Sequence, residues 1–339
     1  METQVRPYAD TAGPPAALLD SIRTGGQKFV VASHISPEGD ALGSTLALTN
    51  ALRAMGKEAL AYNRDGVPEM FKFLPGWEEI KSILPPRSGD FTLILVDCQS
   101  LSRAALEGIG FSKTLVVDHH EPDAPEPGEA TAGVLWIEPS CPAAGLMVYG
   151  LIKALGVDID RAMATNLYTA IATDTGSFRY SNTTAGSLEA AAALIRAGAR
   201  PDEISRNVYE TWSEKKMRLL GLALQTLELR DGAAIMCIET GMFAATGAGN
   251  EDTDNFTSFP RLLKDARVAA ILSEIEGGLI RGSLRSKDGV DVRLIAQKFG
   301  GGGHINAAGF RTSAGKDGLA GIRKMLFEAI KSETSRKAG

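Results

Sequence analysis

The chain has 339 residues, enough for two domains, and its 44% hydrophobic and 23% charged residues are the balance of a globular protein rather than a disordered one. A formal net charge of −5 argues against a general electrostatic footprint for long nucleic acid. Cys98, Cys141 and Cys237 are odd in number and far apart, which argues against a disulfide framework; with no basic-then-apolar leader and no membrane-length apolar run, a cytoplasmic protein is expected.

In chain order, the first half alternates short apolar runs with helical patterns. Strands are expected at 28–33 (KFVVAS), 58–63 (EALAYN), 91–96 (FTLILV) and 113–117 (KTLVV). These runs are continuous rather than alternating, as in strands buried on both faces. Helices are expected at 40–56 and 143–156, each closed by a glycine, Gly56 and Gly156. The βαβ rhythm predicts an α/β fold with an open, mostly parallel sheet and flanking helices. Residues 121–133, rich in proline and acids, read as a surface loop.

From about 160 to 230 the chain reads as mostly helical, with 201–230 expected as a helical linker. After Asp231 a smaller α/β domain is expected over 231–333, with strands at 232–239, 266–277 and 278–286, a turn at 249–261 and a last helix near 316–333. The tail from Ser332 (SETSRKAG) reads as disordered, which leaves a first domain of 1–200 and a tail of 334–339.

The chemistry gathers where the apolar runs end. His34, Glu38 and Asp40 follow the first run, Asp97 the third and Asp118-His119-His120 the fourth. In open α/β sheets ligands bind at the carboxyl ends of strands, so three strands deliver acids and histidines to one edge. Asp174, which ends an apolar helical run, is a further candidate. Five carboxylates on one rim repel each other unless cations are present. Two divalent metals resolve that conflict, and mixed imidazole and carboxylate ligands suit manganese, iron, zinc or cobalt. Paired metals are also the usual device for phosphoester hydrolysis. Taken singly, each residue has a plainer reading. Asp40 opens a helix and fits an N-cap, Asp97 fits a turn, and neighbouring histidines on a strand point to opposite faces.

A second constellation is FGGGGHINAAGF at 299–310. Four consecutive glycines give no side-chain burial and cost backbone entropy, so packing is not expected to explain them. They let backbone N–H groups approach an anion as a nest. His304 follows directly, and Arg285 in GSLRS is the natural bidentate partner for phosphate, although a solvated arginine is as fair a reading. In TGSFRYSNTT, Arg179 with Phe178 and Tyr180 reads equally as a base-stacking platform or as core aromatics beside an exposed arginine.

HISPEGDALGS, VDCQS, VVDHHEP and ATDTGSFRY resemble, in order, the four motifs of the DHH phosphoesterases. GSLRS with KFGGGGHINAAGF is similar to the substrate-binding DHH-associated domain of that superfamily. Length and motif content resemble the nanoRNase and pAp-phosphatase branch. The resemblance implies one manganese ion on His34, Glu38 and Asp97, and a second on Asp40, Asp97, His119 and Asp174. It also implies that His120 faces the substrate phosphate and that Asp118 orients the site. Arg285, Ser286, Gly301, Gly302, Gly303 and His304 would hold the substrate's other end, with Arg179 a further contact and the active-site cleft between the domains. The implied activity is metal-dependent hydrolysis of short oligoribonucleotides to 5′-mononucleotides, with phosphatase activity on 3′-phosphoadenosine 5′-phosphate (pAp) sharing the site. Two alternatives stay open: a cyclic or linear dinucleotide phosphodiesterase, and a non-catalytic nucleotide-binding module. Short RNA or pAp is the expected partner, with no long nucleic acid and no membrane, on a monomer or homodimer. One position departs from the family pattern: Glu38 stands where the family's first motif carries aspartate.

Overall fold

The computed structural model describes residues 13–86, 88–122, 133–287 and 289–336. The chain divides into two compact units, Met1–Thr211 and Trp212–Gly339.

The first unit runs α1 (Ala16–Arg23), β1 (Lys28–Ala32), α2 (Gly39–Ala54), β2 (Glu58–Tyr62), β3 (Thr92–Val96), β4 (Lys113–Asp118), β5 (Gly133–Ile137), α3 (Ala144–Leu155), α4 (Arg161–Asp174), α5 (Ala185–Arg196) and α6 (Pro201–Tyr209). Its strands are all parallel, in the order β2-β1-β3-β4-β5. The chain steps one way from β1 to β2 and the other way from β3 onward. That reversal opens a crevice beyond the carboxyl ends of β1 and β3, the place where such sheets take ligands.

The continuous apolar runs are explained by cover on both faces. Phe29, Val31, Ile94, Val96, Leu115 and Val117 join one core, shared with residues of α1 to α5. Val30, Ala32, Leu93, Leu95 and Val116 face another, with Phe91, Ala104 and Leu106. β5, an edge strand of mixed burial, is not among the strands expected above; residues 134–137 are a continuous apolar run, but four residues are too few to tell a strand from a buried helix segment. Of the loop expected at 121–133, residues 123–132 lie outside the described residues, and Gly133 already belongs to β5.

Helix α2 is buried along nearly its whole length rather than on one face. Leu42 and Leu46 pack with Ala61, Phe71 and Leu74, while Ala47, Leu48, Ala51 and Leu52 enter the main core. Gly43 permits this: a Cβ there would sit 2.3 Å from the Asn166 carbonyl oxygen in α4. Close approach of α2 to α4 brings the start of one helix to the end of the other, and so Asp40 to Asp174.

The second unit contains α7 (Glu214–Gln225), β6 (Glu228–Arg230), β7 (Ala233–Ile238), α8 (Thr240–Thr246), α9 (Ser258–Arg261), β8 (Val268–Ile275), β9 (Leu279–Ser286), α10 (Val292–Gln297), β10 (Gly302–Gly303), β11 (Ala307–Ser313) and α11 (Gly318–Arg336). Its mixed sheet has the order β10-β11-β9-β8-β7-β6, with β7 and β8 parallel and the other pairs antiparallel. Residues of α10 and α11 cover one face; Leu219, Leu220 and Ala223 of α7 cover Met236, Ile238 and Ile271 on the other.

Three expectations change here. The stretch 201–230 is split by the unit boundary, with α6 in the first unit and α7 in the second unit's core. The turn at 249–261 contains a 3-10 turn, Asn250–Thr253, and α9. The polar tail is helical through Arg336, because Glu333 and Thr334 are buried against the domain.

Candidate metal centre

Asp97 follows β3 directly. Its backbone takes a left-handed conformation, φ 62°, which aspartate tolerates better than most residues, and its N–H donates to the Val117 carbonyl at 3.0 Å. The turn sends the carboxylate into the crevice, 1% exposed. His34 Nε2 lies 3.3 Å from Oδ2 and His119 Nε2 lies 3.4 Å from Oδ1. These imidazoles are close enough to attract, yet neither Asp97 oxygen has a well-formed hydrogen bond. A buried carboxylate without hydrogen bonds is costly and calls for an explanation.

Asp40 is not the N-cap of its own helix. Glu38 holds that position, without a side-chain capping bond. Asp40 instead reaches α3, where it accepts 2.7 Å bonds from the Ala144 and Gly145 N–H groups, and the Ser44 hydroxyl adds a third at 3.0 Å. It caps a neighbouring helix and meets that helix's positive end. Its remaining reach is toward His119 Nε2, 3.7 Å from Oδ2. Asp174, at the end of α4, lies 3.5 Å from the same nitrogen.

Beyond β4 the extended chain ends, so His119 and His120 are not forced to opposite faces. Asp118 organises both: its Oδ1 accepts the His119 N–H and the His120 Nδ1–H, each at 2.8 Å. The rings sit 4.6 Å apart, and His120 Nδ1 also lies 3.7 Å from Asp97 Oδ1. His119 Nδ1 meets the Cys141 carbonyl at 3.1 Å, which leaves Nε2 for the three carboxylates.

The electrostatics follow from burial and crowding. Burial opposes charge on Asp97, but His119 and His34 hold its carboxyl down at about 2. Burial likewise opposes a charged His119, and Asp97, Asp40 and Asp174 overcome it, raising that imidazole to about 10. Burial and the neighbouring carboxylates push Asp174 up to about 6 and Asp40 well above the usual range. The site concentrates negative charge that protons on imidazoles balance only in part.

A divalent pair fits this donor set. The ligand atoms of His34, Glu38 and Asp97 lie within 4.8 Å of one another, as do those of Asp40, His119 and Asp174. Asp97, His119 and His120 form a third such group, which places Asp97 between the other two. All eight residues read from the strand ends and α4 are therefore brought together, seven of them, Glu38 included, in these groups and Asp118 through its bonds to His119 and His120. Three supports were missed. Asn63, fully buried, donates to Ser33 Oγ at 3.1 Å and to the His34 carbonyl at 2.8 Å. Gln99 donates to the His120 and Glu121 carbonyls, both at 3.1 Å. The Cys141 carbonyl orients His119. Asn63 ends a strand and Gln99 sits in VDCQS, so position was the available signal; a carbonyl leaves none.

After Asp174, Gly176, Ser177 and Phe178 take positive φ in succession, 56°, 58° and 61°. Phe178 packs edge-on against Tyr168, whereas Tyr180 is exposed; Arg179 donates to the Gly176 carbonyl at 2.7 Å. Phe178 is therefore a packing residue, and Tyr180 alone of the two aromatics faces outward.

In the second unit, Arg285 is exposed on β9 and Ser286 donates its N–H to the Asn306 carbonyl. His304 is exposed in the turn between β10 and β11. The glycine run is not a continuous nest, because Gly302 and Gly303 pair with Gly309 and Ala308 of β11. Packing does account for part of the run: a Cβ at Gly301 would lie 2.1 Å from the Gly309 carbonyl oxygen. At Gly302 a Cβ would meet nothing.

Comparison with known proteins now bears on these motifs. A model of the DHH family, N-terminal domain, matches residues 28–171, and a model of the DHHA1 domain matches residues 243–332. The bifunctional oligoribonuclease and PAP phosphatase NrnA of Thermus thermophilus is 34% identical over 90% of this chain and 90% of its own. This chain is a DHH/DHHA1 phosphoesterase. As a DHH-family member it is a hydrolase of phosphoester bonds, which removes the non-catalytic reading. A second relative of this phosphoesterase, the Bacillus subtilis protein of the same name, is 27% identical over 83% of this chain and 88% of its own. In structure, an exopolyphosphatase-related protein from Bacteroides fragilis superposes with a TM-score of 0.82 at 25% identity, over 94% of this chain and 96% of the other.

Proposed function

We propose that this phosphoesterase hydrolyses short oligoribonucleotides, dinucleotides included, to 5′-mononucleotides, and that the same site removes the 3′-phosphate of pAp. The supporting observation is Asp97: a buried carboxylate with neither oxygen hydrogen-bonded, set between two groups of ligand atoms. The names of the two NrnA relatives point to the same substrate class.

His34, Glu38 and Asp97 would hold one divalent ion, and Asp40, His119, Asp174 and Asp97 the other, with manganese the best match to the mixed imidazole and carboxylate set. When bound, the pair supplies a nucleophile from water and stabilises charge on the phosphoryl oxygens. The chain's own groups do the rest. Asp118 takes the His120 Nδ1–H and, with burial opposing it only in part, raises the pKa of that ring. The other nitrogen, Nε2, is then a proton donor on a half-exposed ring, placed to meet a phosphoryl or leaving oxygen. Ser44 and the α3 N–H groups fix Asp40, and the Cys141 carbonyl fixes His119. Arg285 and His304 would bind the far end of the substrate.

The test is a substrate panel of pApA, pAp, cyclic-di-AMP and a 20-mer RNA, each with manganese and with chelator. Turnover of pApA and pAp only with manganese is expected. No turnover of any member would sink the reading, faster cleavage of the 20-mer would refute the short-substrate preference, and cyclic-di-AMP as best substrate would move the enzyme to dinucleotide signalling.

A further inference from the structure

Arg281 on β9 and Arg311 on β11 are direct cross-strand partners, so their side chains share one face of the second unit's sheet. Like charges opposite each other on a sheet are destabilising. In the same unit Arg218, Arg230, Arg293 and Arg323 each meet a carboxylate; among the described residues Arg281, Arg285, Arg311 and Arg261 meet none within ion-pair range. Arg281 is steadied by Thr253, whose hydroxyl accepts from its guanidinium at 2.5 Å. In a chain of net charge −5, an unneutralised arginine pair on one face calls for an anion from outside.

The surface beside the pair is bare. A concavity of about 360 Å³ is lined by Arg281, Ser283, Gly301, Gly309 and Arg311 among others. Gly309 pairs with Ser283 on one side and Gly302 on the other, so this row of the sheet carries little more than backbone. Among the described residues, nothing occupies the space a Cβ at Gly302 would take. A ligand can therefore lie close against the strands.

We infer that Arg281 and Arg311, with Ser283 and the glycine floor, form a second phosphodiester subsite that extends the Arg285–His304 end along β9 and β11. This rests on the short-RNA reading above. Arg285 and Arg281 are four residues apart on one face, about 13 Å along the strand. That separation is too long for both to grip one phosphate, so they take phosphates of different nucleotides. Arg261, close enough to Arg285 for the two charges to repel, adds positive potential at the near end. A dinucleotide engages the near end alone, and a chain of several nucleotides engages both. The track thus favours short oligonucleotides over the dinucleotide in binding.

The test compares the full chain with Arg311→Glu and with the double variant Arg281→Gln/Arg311→Gln. Affinity for a 5′-phosphorylated pentanucleotide and for a dinucleotide is read by fluorescence anisotropy in chelator across a salt series, and turnover with manganese is read separately. Pentanucleotide affinity is expected to fall about tenfold more than dinucleotide affinity. Its salt slope should drop by about 0.7 for each phosphate that an arginine no longer neutralises, and Arg311→Lys should restore it. Equal weakening for both ligands, or an unchanged salt slope, overturns the subsite. Should the double variant not fold, Arg311→Glu carries the test, since Arg311 is exposed and its side chain supports no core. A falling salt slope with no turnover by the unaltered chain would leave the subsite standing and refute the enzyme's substrate reading.

Discussion

Glu38 reaches its group of ligand atoms from the N-cap position of α2 while remaining exposed. The extra methylene over aspartate is accommodated because the residue sits outside the core. Glu38→Asp should therefore keep or raise turnover, and Glu38→Ala should weaken the binding of one metal ion and spare the other; metal titration by calorimetry separates the two, and no change in either variant would show that Glu38 merely faces solvent. Asp97 is the opposite case. Asp97→Ala should abolish turnover and lower metal stoichiometry while the fold persists, checked by circular dichroism beside the activity assay. The titration of His119 has a definite sign. Its imidazole is raised to about 10, so at neutral pH metal entry must displace a proton. Metal affinity should rise with pH up to about 10 and level off above it, with proton release measurable in buffers of different ionisation enthalpy. In the metal-free protein the same raised pKa stabilises the fold most below the unfolded value of about 6.5. That stability is lost as pH climbs through about 10.

The elements explain why these residues meet. β1, β3 and β4 are adjacent in the sheet, and their carboxyl ends set His34, Asp97 and Asp118-His119-His120 side by side. α2 and α4 supply Asp40 and Asp174, and Gly43 lets them approach. Asp40 belongs to two structures at once, as a ligand candidate and as the acceptor for the first N–H groups of α3. Asp40→Ala should cost about 1–3 kcal/mol in the metal-free protein through two stranded N–H groups, measured by urea unfolding in chelator. A stability loss seen only in the presence of metal would show that capping contributes nothing. Gln99, which ties VDCQS to the segment after β4, is expected to act on metal affinity without touching metal. Gln99→Ala should weaken it by about 10–100-fold, read from metal titrations.

Across the whole chain, two sheets do different work. The parallel sheet gathers acids and imidazoles at a topological switch point, and the mixed sheet displays arginines, Ser283 and bare glycine backbone on one face. On the proposed function, the net charge of −5 would disfavour long polyanions, whereas local arginines would serve short ones. Turnover of a dinucleotide should therefore exceed that of a 20-mer at equal concentration, and raising salt should weaken pentanucleotide binding more than dinucleotide binding.

By itself the sequence determined the two α/β domains and the strands buried on both faces, and it marked the residues that the fold gathers into groups of ligand atoms, because burial writes itself as apolar periodicity and acids after apolar runs are conspicuous. It did not determine β5, whose four-residue apolar run is too short to tell a strand from a buried helix segment, or the order of α6 and α7 about the unit boundary, since both read only as helix. Tertiary structure alone decided that Asp40 caps α3 rather than α2. It also decided that both neighbouring histidines face Asp97, and that Arg281 stands opposite Arg311. Each depends on which backbone lies across the gap, and strand register and helix docking set that through contacts between residues far apart in the chain.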